Sequence, residues 1–191
     1  MKKTIFSFVL AVIALAFTAC GSKSSDSSEA PLAKVLTVDT ILASPEGYLD
    51  SLITFEGVCS HACKHGATKI FVLGNGDNAL LRVEAGDLGS FDTKCVHNPV
   101  TVKGYLREDR IDEEYLANWA EQTKNGTAEQ HGDGEAGCAT DNAARGVQAT
   151  TVDSQIAEYR ARIAKRDSLE GKPYLSFYYV EAISYEIDDQ E

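Results

Sequence analysis

Apolar and polar positions alternate through residues 49–60. Ile53, Phe55 and Gly57 fall on one face and Leu52, Thr54, Glu56 and Val58 on the other, the two-residue period of a half-buried strand. Residues 68–73, 79–84 and 100–107 read as three further strands. Residues 74–78, with Asn75-Gly76, favour positive φ and join the first two of these as a hairpin. The lead-in at 35–47 predicts a helical turn at 40–44 ahead of Pro45. A helical spacing takes over at 112–124, where Tyr115, Leu116 and Trp119 form a short stripe, Asp112 is placed to cap and Asn125-Gly126 to stop. It returns at 153–169 with Ile156, Tyr159 and Ile163, ended by Gly171-Lys-Pro173. Residues 126–150 between them are polar and aperiodic and predict a loop without structure of its own. The longest strand, 174–187, comes last, with Leu175, Phe177, Tyr179, Ile183, Tyr185 and Ile187 on one face and Glu181 interrupting it. Gly57 in mid-strand predicts a bulge, which would exchange the two faces beyond it.

The element order gives a mainly β fold with inserted helices: a five-stranded closed barrel with a two-helix insertion, at about 108–172, before the last strand. The runs Ile53-Thr-Phe-Glu-Gly-Val58 and Val100-Thr-Val-Lys-Gly-Tyr-Leu106, with the Asn75-Gly76 hairpin between them, resemble the first four strands of exported OB-fold lipoproteins. Phe55 stands where that pattern has valine. The resemblance covers about 49–107 and the last strand, and it implies an OB-fold barrel; the helical insertion lies outside it.

The amino-terminal region reads as an address. Lys2 and Lys3 precede an apolar stretch at 5–17 that is too short for a stable membrane span. It ends in Phe17-Thr-Ala-Cys20-Gly21, which resembles the lipobox of bacterial lipoproteins, with Phe17 in place of the usual leucine. The resemblance implies a signal peptide at 1–19, acylation of Cys20 (palmitate among the chains) and anchoring in the cell envelope, at the outer membrane, with the domain outside the cytoplasm. An ordinary signal peptide cleaved after Ala19 would instead leave Cys20 free. Residues 20–34, serine-rich, read as a tether, and 35–191 as the domain.

Charge narrows the partners. The 18 Lys+Arg against 29 Asp+Glu give −11, and losing Lys2 and Lys3 with the signal leaves 16 against 29, or −13. Such a surface repels phosphate backbones, which argues against nucleic acid, and it leaves membrane attachment to the lipid. An unknown protein or small ligand remains as the partner. Tyr174, Tyr178 and Tyr179 on the last strand suit either a stacking face or core packing.

Candidate chemistry concentrates in Cys59, His61, Cys63 and His65, which a straight strand would place on one face. Cys95 and His97 repeat the Cys-x-His spacing, and Cys138 sits in the polar loop. Three readings stand side by side. Thiolates and imidazoles suit a soft metal ion, Zn²⁺ or copper, held by Cys59, His61, Cys63, His65, Cys95 and His97 in some combination, once the chain turns near Lys64. Four cysteines in an exported chain equally suit disulfides that join Cys59 or Cys63 to Cys95 or Cys138. In one straight strand Cys59 and Cys63 would lie about 13 Å apart, against the roughly 7 Å that a disulfide spans. A cysteine beside a histidine is also the minimum for thiol-based redox or nucleophilic chemistry, although no Cys-x-x-Cys pair is present. Together these predict a non-enzymatic binding module that holds a soft metal, or a disulfide-stapled interaction module.

Overall fold

The computed structural model describes residues 34–64, 66–76, 79–127 and 138–188. The predicted signal peptide, Cys20 and nearly all of the tether therefore lie outside the described residues, as do His65, His131 and the acidic end beyond Asp188.

A two-residue strand β1 (Leu36–Thr37) runs into helix α1 (Val38–Ala43), capped where Thr37 Oγ1 accepts from the Thr40 amide at 3.2 Å. Strands β2 (Leu52–Ala62), β3 (Lys69–Leu73), β4 (Leu80–Glu84) and β5 (Pro99–Ile111) follow. Helices α2 (Glu113–Lys124), α3 (Ala139–Ala144) and α4 (Val152–Glu170) come next, and then strand β6 (Leu175–Ile187). The sheet order is β1-β2-β3-β4-β6-β5, and β2 also pairs with β5. Those five main strands close into a barrel, antiparallel except for β4 beside β6. This is a mainly β, OB-fold-like barrel, with helices α2, α3 and α4 inserted between β5 and β6.

Alternation fills the barrel. Ile53, Phe55 and Cys59 from β2 meet Ile70, Val72, Leu81, Val83, Val100, Val102, Leu106, Val180 and Ala182, and α1 adds Val38 and Ile41. Asp39 of the same helix ties down the β3–β4 turn by accepting from the Asn75 and Gly76 amides at 2.7 and 2.8 Å. Those two bonds, the Asn75 one first, hold its carboxyl below the usual aspartate value. A second cluster forms where the helices meet the sheet: Ile111, Leu116, Val147, Ile156, Tyr159, Ile163 and Leu175, with Trp119 and Phe177 against it. Helix α2 starts at Asp112, whose Oδ1 accepts from the Tyr115 amide at 2.8 Å. Helix α4 starts at a Thr151–Ser154 capping box and ends at Gly171 in the left-handed region (φ 66°).

Three sequence expectations change. Residues 126–150 are not without structure, since α3 forms within them. The last strand does not present its odd-numbered residues to one core. Tyr178, Val180 and Ala182 face the barrel, while Leu175 and Phe177 face the helices. The register then shifts, Lys103 pairing with Ser184 and Gly104 with Ala182, so that Ile183 is the extra residue and Tyr185 and Ile187 turn inward. Gly57 is not the bulge either. Its pairing with Val100 continues the β2–β5 ladder without a break, and the shift lies between Cys59 and His61 in the β2–β3 pairing. Gly57 answers a different need, because a Cβ there would stand 2.6 Å from Val72 Cγ1 and 2.7 Å from the Leu73 carbonyl oxygen.

Candidate thiol–imidazole site

The shift after Cys59 divides the predicted row. Cys59 completes the inward series and is fully buried, with no exposed surface. Ser60 is the extra residue, so Ala62 packs inward against the barrel core while His61 and Cys63 sit half-buried on the opposite side. The chain turns directly after Cys63. The Cys63 amide donates to the Lys69 carbonyl at 2.8 Å, and the Ala67 amide donates back to the Cys63 carbonyl at 3.0 Å. Gly66 and Ala67 take positive φ (73° and 47°) to make that turn.

Cys138 arrives from far along the chain at the N-cap position of α3 and meets this turn. Its Sγ lies 3.8 Å from His61 Nε2, and its thiol neighbours that of Cys63. The His61 ring leans on Phe71 with centroids 5.9 Å apart. Burial pushes the Cys63 thiol above its ordinary pKa, and the adjacent Cys138 adds to the rise. A raised pKa suppresses the thiolate that a nucleophile would need. Cys95, in the short turn Thr93–Cys95, lies away from this rim and inside the barrel with Cys59. His97 is exposed, takes a positive φ of 71°, and meets Cys59 through its backbone amide, which donates to the Cys59 carbonyl at 2.7 Å. Among the described residues no group of three or more His, Cys, Asp or Glu side chains is arranged to hold a metal ion.

Beside the rim, the insertion covers the outside of the barrel. Phe71 and Arg82 point away from the barrel interior, yet Phe71 is fully buried and Arg82 is 5% exposed. Arg82 ion-pairs with Asp109 of β5 and reaches Asp141 of α3 at 3.4 Å, with its guanidinium 4.7 Å above the Tyr179 ring. Arg145, just past α3, pairs with Asp109 at 3.1 Å and Asp141 at 3.4 Å and stacks on Phe177 at 5.1 Å. OB-type barrels use this face and its flanking loops to bind oligonucleotides and oligosaccharides; here α3 lies over it. The tyrosines are engaged as well: Tyr174 sits between Arg110 and Arg166 at 4.7 and 5.1 Å, and Tyr178 packs on the barrel core. The arginine network escaped the sequence reading; an arginine inside the apolar run of β4 is the signal that marks it.

Asp141 makes this cover sensitive to acid. Burial alone would raise its pKa, but the charges of Arg145 and Arg82 outweigh burial and hold it below the ordinary 3.8. A carboxyl depressed in the folded state stabilises fully above its ordinary value, and that stabilisation is lost as pH falls through the lower folded value. An acid titration followed by fluorescence of Trp119, the single tryptophan, is expected to report loosening of the helical cluster below about pH 4. Asp141→Asn should shrink that change; an unaltered titration in the variant would count against the assignment.

No helix of the described residues is long and apolar enough to cross a membrane. No protein-family model and no curated protein sequence matches the chain. Among solved structures, a protein described as an aspartyl-tRNA synthetase from Leishmania major Friedlin is similar at a TM-score of 0.29 and 13% identity, over 44% of this chain and 18% of that one.

Proposed function

We propose that the chain is a cell-envelope lipoprotein that binds a protein or small ligand without catalysing a reaction, its insertion stapled to the barrel by a Cys63–Cys138 disulfide. The observation that carries this reading is the meeting of those two thiols, one on the turn after β2 and the other at the start of α3. The lipobox-like Cys20 supplies export, an oxidising compartment and anchoring at the outer membrane. Joining the thiols would hold α3, and Asp141 with it, over Arg82. Closure of so long a loop would stabilise the fold by about 2–5 kcal/mol. The elevated Cys63 pKa supports a structural rather than a nucleophilic role.

One observation favours a second reading at the same place. The 3.8 Å between Cys138 Sγ and His61 Nε2 is close to the roughly 3.6 Å that a sulfur and a nitrogen keep when both bind one tetrahedral zinc. Cys63, Cys138 and His61 would then hold Zn²⁺ or copper, with the site closing around the ion. Native and denaturing mass spectrometry of the full chain, purified without reductant, separates the two. A Cys63–Cys138 cross-linked peptide and no bound metal is the expected result. Stoichiometric metal, lost in His61→Ala, would overturn the staple in favour of the ion, and two alkylatable rim thiols without metal would defeat both.

A further inference from the structure

Cys59 and Cys95 lie on the other side of the sheet, both as free thiols. Both are fully buried and belong to the barrel core. The backbone brings their segments together. The Cys59 amide donates to the Asn98 carbonyl at 3.0 Å, and the His97 amide returns a bond to the Cys59 carbonyl at 2.7 Å. The Asn98 amide donates to the Cys95 carbonyl at 3.0 Å, so the chain folds back and sets Cys95 beside the end of β2. From this geometry we propose that Cys59 and Cys95 are joined as a second disulfide, enclosed within the barrel.

The faces of the sheet favour this pairing over the other connectivities. Cys59 and Cys95 lie inside the barrel, whereas Cys63 and Cys138 meet outside it with His61. Cys63 sits on the turn just past the last β2–β3 pair, Ala62 with Ile70, so a bond from either rim thiol to Cys59 or Cys95 would have to cross from the outer face of the sheet to the barrel core. Of the three pairings that four cysteines allow, only Cys59–Cys95 with Cys63–Cys138 keeps each bond on one side. The electrostatics agree with this proximity. Burial, then the charge of Cys59, pushes the Cys95 thiol up to about 11, and burial raises Cys59.

That environment also dictates when the bond forms. Exchange needs a thiolate and access, and the closed barrel offers neither. The bond therefore forms while the chain is folding. The two thiols give up two protons and two electrons, and the disulfide of an oxidising protein in the exported compartment takes them up and leaves as a dithiol. Once enclosed, the bond fixes the strand just ahead of the Ser60 irregularity, which aims His61 and Cys63 outward. The inference rests on the export part of the proposed function, not on the Cys63–Cys138 staple.

The test is the exported full chain carrying Cys63→Ser and Cys138→Ser, unfolded in denaturant with an alkylating agent and no reductant. Cys59 and Cys95 are expected to stay unalkylated, recovered as one cross-linked peptide that has lost two hydrogens, and to resist reductant until the protein is unfolded. Alkylation of both in the unreduced sample would overturn the inference. If the variant does not fold, the same map of the unaltered chain decides: Cys59 linked to Cys63 or Cys138, or four alkylated thiols, overturns it. Alkylation of Cys63 and Cys138 alone would remove the proposed staple and leave the enclosed bond standing.

Discussion

Arg82→Ala is expected to destabilise the domain by about 2–4 kcal/mol and to lower Tm on the order of 5–15 °C, read by thermal and denaturant unfolding. The guanidinium is almost wholly enclosed and neutralises two carboxylates from different elements, Asp109 on β5 and Asp141 on α3. Its Nε lies 3.4 Å from Glu84 as well. Truncation removes the cation and leaves Asp141 buried without that charge, which costs more than the pair itself contributes. The figure stays below the upper range for buried pairs because Asp109, 37% exposed at its side chain, can turn to water. The asymmetry gives a control. Arg82→Met with Asp141→Leu removes both charges and keeps apolar volume, and it should recover part of the loss. If Arg82→Ala unfolds like the unaltered chain, the network does not fasten the insertion.

Gly104→Ala comes next in size, at about 3 kcal/mol and a Tm fall of roughly 6–12 °C. At this position β5 and β6 approach so closely that a Cβ would stand 2.3 Å from the Glu181 carbonyl oxygen, 2.7 Å from Val180 Cγ1 and 2.9 Å from Ala182 Cα. Two of those three atoms are backbone, so no rotamer change relieves the contact. The register shift beside Ile183 would have to open, and with it the seam that closes the barrel. Gly47→Ala is the comparison, since its added Cβ would meet only Ser44 Oγ at 3.8 Å. Equal stabilities for the two variants would show that the seam is compliant.

The barrel was legible because hairpin strands carry their own period. Residues 49–60 alternate, Asn75-Gly76 marks a turn, and Val100, Val102 and Gly104 alternate again. Where the local pattern misleads, the cause is non-local. Gly57 carries the usual mark of a bulge, but its reason is the approach of Val72 and Leu73 from β3. The true irregularity, at Ser60, has nothing in its residue type to announce it. In β6 the odd-numbered aromatics suggested one continuous face; the shift at Ile183 and the second cluster beneath the helices divide it. Helix α3 is a single short segment of Ala-Thr-Asp-Asn-Ala-Ala, too brief for a period to declare itself, and it holds its place through Arg82 and Arg145. The meeting of Cys138 with His61 and Cys63 joins residues distant in sequence. The sequence could name the donors but not sort them into inside and outside.

The division of β6 bears on how the domain fails. Val180 and Ala182 belong to the barrel, and Leu175, a few residues earlier on the same strand, belongs to the helical cluster; β5 does likewise with Leu106 and Ile111. Two adjacent strands thus act as a party wall between two rooms, and neither room can lose it alone. The helices are consequently not detachable from the barrel: excising them would bare one side of the wall, and melting the barrel would take the helices' floor away.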